Sequence, residues 1–155
     1  MTSPAQLALD ANILVLLVAG LTDESIIPRH KRLKKYDPED FSLLMRILLR
    51  YKTLIVTPGV LAECSDLLRY DRASKDRTCT TLHRMLTDSD ALLEIYHPTK
   101  EAALMRESTW LGLVDAGLLK IVDDGIPLIT DDFALFAQAC CKNNECINFD
   151  ATRLN

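Results

Sequence analysis

The sequence predicts an α/β fold: a central parallel sheet of four or five strands with helices on both faces. Three observations lead there. The chain has 155 residues, 48% hydrophobic and 26% charged, enough apolar surface to offset the ordering entropy of one compact domain. Its strand candidates are short and continuously apolar, as strands covered on both faces are. Segments of helical spacing separate them, and that alternation favours parallel pairing.

The first strand candidate is Leu7-Ala8-Leu9, followed at once by Asp10. Ile13 to Ala19 is apolar on every face and reads as a buried helix ending at Gly20. After a polar stretch over 23–35, Asp37-Pro38-Glu39-Asp40 opens a helix whose apolar positions Phe41, Leu44, Met45, Leu48 and Leu49 recur at helical spacing. Acids in its first turn and Arg50 and Lys52 at its end suit the helix dipole. Leu54-Ile55-Val56 is the second strand, and Thr57-Pro58 caps and starts a helix to about Tyr70. Residues 71–90 are charged and Thr/Ser-rich, with a short helical pattern around Leu82, Met85 and Leu86. A strand over Leu92 to Tyr96 and a helix from Pro98 to Met105 follow. Leu111 to Val122 is a helix, Asp123-Asp124-Gly125 a turn, Pro127 to Thr130 a strand, Phe133 to Lys142 a helix, and Ile147-Asn148-Phe149 a last short strand. Nothing reads as a linker or repeat, so residues 1–155 are expected to form one domain.

Composition excludes several classes. The longest uncharged apolar stretch, Ala11 to Leu21, is about half of the roughly 20 residues a bilayer crossing needs, and the chain opens Met1-Thr2-Ser3-Pro4 without a basic leader. A soluble cytoplasmic protein with no membrane partner is expected. The five cysteines include no CxxC pair and the three histidines no HxxxH spacing, which reads as reduced thiols rather than a disulfide framework or zinc site. A net charge of −4 argues against coating nucleic acid through overall charge, while leaving local basic patches open.

The informative residues are acids. Asp10 ends the first strand, Glu63 lies early in the helix after the second, Asp115 lies near the start of the Leu111 helix, and Asp131-Asp132 follow the strand that ends at Thr130. Loops at the carboxyl ends of parallel strands share one edge, where ligands bind. Each acid alone has an ordinary role: Asp10 and one of Asp131 and Asp132 as helix caps, Glu63 as a solvated helix residue. Asp115 resists that treatment, because Trp110, Leu111, Leu113, Val114, Leu118 and Leu119 surround it and an unpaired buried carboxylate is costly. Carboxylates brought together repel and stay ionised only with a cation, and all-oxygen ligands suit Mg²⁺ or Mn²⁺. Two such ions can activate water and stabilise a leaving oxygen without a Ser, His or Cys nucleophile. Metal-dependent phosphodiester hydrolysis is the expected chemistry. Of the 22 acids, 18 remain once Asp10, Glu63, Asp115 and Asp132 are set aside, matching the 18 bases.

Leu7-Ala8-Leu9-Asp10-Ala11-Asn12-Ile13-Leu14, Thr57-Pro58-Gly59-Val60-Leu61-Ala62-Glu63, Leu113-Val114-Asp115-Ala116-Gly117-Leu118-Leu119 and Leu128-Ile129-Thr130-Asp131-Asp132 together resemble the four motif blocks of PIN-domain ribonucleases, the fold of VapC-type toxins. The blocks stand in the family's order, and the resemblance spans residues 7 to 149. It implies a single PIN-like domain in which Asp10, Glu63, Asp115 and Asp132 bind the metal, with Asn12 and Thr130 in support. Two departures stand out. Ala11 replaces the usual hydroxyl residue after the first acid, and the Asp131-Asp132 pair leaves two choices for the last ligand, with Asp132 favoured by its place two after the threonine.

The resemblance further implies an RNA substrate, a homodimer, and an antitoxin partner covering the pocket. The basic run Arg29, Lys31, Arg32, Lys34 and Lys35, or the group Arg69, Arg72, Lys75 and Arg77 with Tyr70 nearby, is a candidate track for a phosphate backbone. The polar stretch from Ala73 to Asp90 reads as an insertion and weighs against assigning the toxin role. Two other readings compete: a non-catalytic PIN-like module that binds RNA or protein, and a phosphatase of the haloacid-dehalogenase type. The phosphatase normally wants an aspartate where this chain has Asn12.

Overall fold

A computed structural model describes residues 5–90 and 92–155, so the opening Met1 to Pro4 lies outside the described residues. Five strands, β1 (Gln6–Leu9), β2 (Thr53–Val56), β3 (Leu92–Glu94), β4 (Leu128–Thr130) and β5 (Ile147–Asn148), form one sheet in the order β3-β2-β1-β4-β5. Every neighbouring pair is parallel, with Leu7 opposite Leu54 and Leu9 opposite Ile129. Leu7, Ala8 and Leu9 of β1 and Leu128, Ile129 and Thr130 of β4 are all fully buried. Successive strand residues face opposite sides, so both faces of the central strands are covered.

The helices are α1 (Ala11–Thr22), α2 (Pro38–Leu48), α3 (Pro58–Tyr70), α4 (Lys75–Thr87), α5 (Thr99–Ala103), α6 (Ser108–Leu111), α7 (Leu113–Asp123), α8 (Phe133–Lys142) and α9 (Phe149–Arg153), with a 3₁₀ turn over Glu24–Arg29. The chain steps from β1 through β2 to β3 in one direction, then returns past β1 to β4 and β5. Right-handed crossovers therefore put the helices between β1 and β3 on one face and those between β3 and β5 on the other. The packing agrees, since α1 contacts α2, α3 and α4, while α7 contacts α5, α6 and α8.

Local chemistry explains most boundaries. Asp37 and Asp40 form a reciprocal capping box at α2 with Pro38 in its first turn, and Thr57 Oγ1 accepts from the Val60 N–H at the start of α3. Three expectations are corrected. The first helix does not stop at Gly20 but continues to Thr22; Gly20 marks a close approach, where an added Cβ would lie 2.1 Å from the Phe41 ring of α2. The helix expected from Leu111 is two helices, broken by Gly112 at φ +91°, and α7 begins at Leu113. The last strand ends at Asn148, whose side chain accepts from the Ala151 N–H and starts α9 at Phe149. No helix among the described residues is long and apolar enough to cross a membrane.

Gly20→Ala raises intrinsic helix propensity by about 1 kcal/mol yet drives a methyl into the Phe41 ring. Overpacking of that kind costs about 1–3 kcal/mol, so the variant is expected to unfold at lower urea than wild type. A raised midpoint would show that α2 yields at no cost and leaves only the gain in helix propensity.

Candidate active site

The order of the sheet reverses between β1 and β4, and ligands of open parallel sheets bind outside the carboxyl ends at such a switch point. Asp10 and Asp131-Asp132 emerge there. Asp10 continues the ladder, its N–H donating to the Ile129 carbonyl at 3.1 Å. Its Oδ1 accepts from the Ala11 N–H at 2.7 Å, capping α1, and its Oδ2 accepts from the Thr130 hydroxyl at 2.5 Å. The cap and the site are thus one residue. Thr130 Oγ1 in turn accepts from the Asp132 N–H at 3.0 Å, and Asp132 Oδ1 caps α8 by accepting from Leu135 N–H at 3.0 Å. Thr130 therefore fixes both acids at once.

Glu63 on α3 and Asp115 on α7 line an open depression of about 580 Å³ together with Asp66, Leu67, Leu111 and Gly112. Gly59 brings these helices close: a Cβ there would stand 3.3 Å from Val114. Among the described residues neither the Glu63 nor the Asp115 carboxylate has a hydrogen-bond or ion-pair partner. The field at the site is negative. Burial pushes the Asp115 carboxyl up to about 7, with further increments from Asp10, Asp132 and Glu63. Burial likewise pushes Asp10 up to about 6, against the lowering hydrogen bonds from Thr130 and Ala11, with Asp131 and Glu63 adding repulsion. Asp115 thus lies within electrostatic reach of the other three expected acids, though among the described residues no three of His, Cys, Asp or Glu stand near enough to hold one ion together. The donor set is all carboxylate and electrostatically uncompensated, which fits a hard divalent cation.

Asp131 is used differently. Its side chain is buried; Oδ1 accepts from Asn12 Nδ2 at 3.3 Å, and Oδ2 accepts from the Tyr36 hydroxyl at 2.7 Å and meets Lys35 Nζ at 2.9 Å. Lys35 also reaches Asp150 at 2.9 Å, which Arg153 of α9 holds from the other side at 2.9 Å. Burial and the facing Asp131 carboxylate push the Tyr36 hydroxyl well above its usual range, so it remains a donor. Burial opposes charge on Lys35, but its hydrogen bonds to Asp150 and Asp131 outweigh it and raise its pKa. Asn12 supports Asp131 rather than Asp10, and Lys35 is committed to ion pairs rather than free for phosphate. In the rest of the basic groups, Arg29 bonds to Ser25, Arg77 pairs with Asp23 at 3.2 Å, and Lys31 lies over the Tyr70 ring at 5.4 Å.

Sequence reasoning missed Tyr36, Asp150 and Arg153, whose roles depend on chain-distant neighbours, and Asp66, whose spacing of three from Glu63 was a usable signal. Comparison with protein-family models and with curated proteins returned no match to this chain. Fold and site together define a single-sheet parallel α/β protein with carboxylates gathered at its topological switch point.

Two outcomes follow. Asn caps a helix as well as Asp, so Asp132→Asn is expected to leave stability near wild type, whereas Asp131→Asn removes the buried charge that receives the Tyr36 hydroxyl and Lys35 and is expected to cost about 1–3 kcal/mol; equal urea midpoints would contradict this division. Because Asp10 and Asp115 bind protons more tightly folded than unfolded, the folded state holds more protons and stability falls as pH rises from the ordinary 3.8 through about 7. For Asp10 alone the loss is roughly 3 kcal/mol. Thermal melts without divalent ions between these pH values check it, and Asp115→Asn should flatten the slope.

Proposed function

We propose that this protein is a Mg²⁺- or Mn²⁺-dependent endoribonuclease of the PIN-domain type. The observation that carries the reading is that Asp10 and Asp115, acids more than 100 residues apart, are both raised by burial at the switch point of a parallel sheet, with Asp10, Asp132 and Glu63 adding repulsion at Asp115. Asp10, Glu63, Asp115 and Asp132 are the residues that would hold the cation. A bound divalent ion supplies there the positive charge that lowers the pKa of an attacking water and stabilises the leaving oxygen of a phosphodiester. The chain's own contribution is orientation. The Thr130 hydroxyl and the Ala11 N–H each take one lone pair of Asp10, so one on each oxygen stays open, and the α8 cap likewise leaves Asp132 Oδ2 open. The unpartnered Glu63 and Asp115 complete the acidic wall against which a scissile phosphate must be presented.

A second reading, a PIN-like module that binds RNA or protein without cleaving it, draws on the spread of the acids, since no three described ligands are preassembled around one point. The family reading also extends to a toxin with an antitoxin partner, tested by co-expression with the product of an adjacent reading frame, and to a homodimer, tested by light scattering.

Purified protein is expected to cleave RNA in Mg²⁺ or Mn²⁺, to stop in EDTA, and to lose activity to background as Asp10→Ala or Asp115→Ala. Mn²⁺ should raise the melting temperature of wild type more than that of Asp115→Ala, because an ion that binds only the folded state stabilises it. Undiminished cleavage by Asp115→Ala would sink the site assignment. An inert wild type that still binds RNA would favour the module, and phosphate release from a small monoester would move the case to the phosphatase.

A further inference from the structure

A second cavity, of about 370 Å³, lies beside the acidic depression and is lined by none of the four acids. Its walls come from the start of α3 at Pro58 and Gly59, the loop after β3 at Tyr96 and Pro98, and α7 at Val114 and Gly117. Gly59, Leu113 and Val114 border both depressions, which therefore form one trough along the carboxyl edge of the sheet. On α7, Asp115 belongs to the acidic end and Gly117 to the other.

Tyr96 gives this cavity its character. The residue is 67% exposed, yet both of its chain neighbours are anchored. The preceding Ile95 N–H donates to the Val56 carbonyl at 2.9 Å, and the following His97 ring bonds Asp124 at 2.7 Å and meets Glu101 at 3.4 Å. Tyr96 thus lines a largely apolar slot from a stretch of chain whose two neighbours are both anchored. Gly117 is the second observation. A glycine inside a helix costs about 1 kcal/mol relative to alanine, and here no packing requires it, because an added Cβ would meet nothing within 4 Å. What its missing side chain preserves is the open slot. At the slot's inner end, the Thr57 hydroxyl accepts from Val60 N–H and keeps its own proton for an acceptor.

We propose that this cavity receives an unpaired nucleobase of the nucleotide adjoining the scissile phosphodiester, stacked on Tyr96 with the Thr57 hydroxyl at its polar edge. The assignment rests on the ribonuclease reading and names its substrate class: single-stranded or looped RNA, whose bases are free to leave a stack, rather than duplex. Stacking is tolerant of base identity, since every base has a π-face.

The test uses short fluorescein-labelled single-stranded RNA, with anisotropy on the Asp115→Asn background and steady-state cleavage in the wild-type background. Tyr96→Ala and Gly117→Leu are each expected to weaken binding about tenfold and to raise KM with little change in kcat, while Gly117→Ala, which puts only a methyl into the slot, should fall between its parent and Gly117→Leu. In a series of strands carrying one abasic residue moved stepwise, one position should bind weakly to the parent and show no further loss with Gly117→Leu. Because Tyr96 is an exposed loop residue, its variant keeps the test open if Gly117→Leu fails to fold. Wild type that cleaves RNA while both variants keep parental KM and affinity overturns the base slot and leaves the ribonuclease reading standing, as would equal cleavage of duplex and single strand. RNA neither cleaved by wild type nor bound by Asp115→Asn would remove the ribonuclease reading, and the slot falls with it.

Discussion

The hydrogen bond from the Thr130 hydroxyl to Asp10 spans 120 residues of chain and depends on β1 and β4 pairing in one register. Everything at the carboxyl edge depends on it. It holds a carboxylate at the buried end of β1, where water stabilises the charge poorly, and Thr130 Oγ1 also receives the Asp132 N–H and so sets the start of α8. A slip of one residue between β1 and β4 would turn Thr130 to the other face of the sheet and leave Asp10 buried without its strongest side-chain partner.

Two adjacent aspartates then take opposite tasks. Asp131 points inward to a lysine, a tyrosine and an asparagine and ties the α1–α2 connection to the end of β4. Asp132 caps α8 through one oxygen and adds its charge to the field on Asp115 of α7. The outer shell of this arrangement is the Asp131–Lys35–Asp150–Arg153–Asp40 chain of ion pairs, with Lys35 and Arg153 each 5.0 Å from the centre of the Tyr36 ring. Half-buried pairs in a connected network keep their geometry better than isolated surface pairs, which contribute little. Neighbouring residues can therefore serve rigidity and ligand binding separately. Asp10 and Asp115 carry the stability cost, since their like charges are gathered where burial already disfavours them, as functional sites commonly do.

Much of this was legible in the residues. Strand and helix order follow from short apolar runs and helical spacing; α3 and α8 fall on the expected residues because Thr57-Pro58 and Asp132 are local start signals. The acids at strand ends were legible too, because parallel topology sends every such end to one edge. Gly20 misled because a glycine that ends a helix and one that admits a neighbour's ring are identical in one dimension. Lys35 misled for the same reason: within its basic run nothing distinguishes a free cation from one that β4 and α9 will enclose.

By itself, then, the sequence determined the α/β class, the succession of the strands and the expectation that Asp10, Glu63, Asp115 and Asp132 belong to one edge, because periodicity, caps and strand ends are local properties. Only the tertiary structure decided that Asp131 is an anchor and Asp132 open, that Asn12 serves Asp131, that Gly112 splits a helix in front of Asp115, and that a Tyr96 slot adjoins the acids. Those outcomes turn on distances of a few ångströms between segments tens of residues apart. No local pattern encodes such distances; they exist once both helix layers close on the sheet.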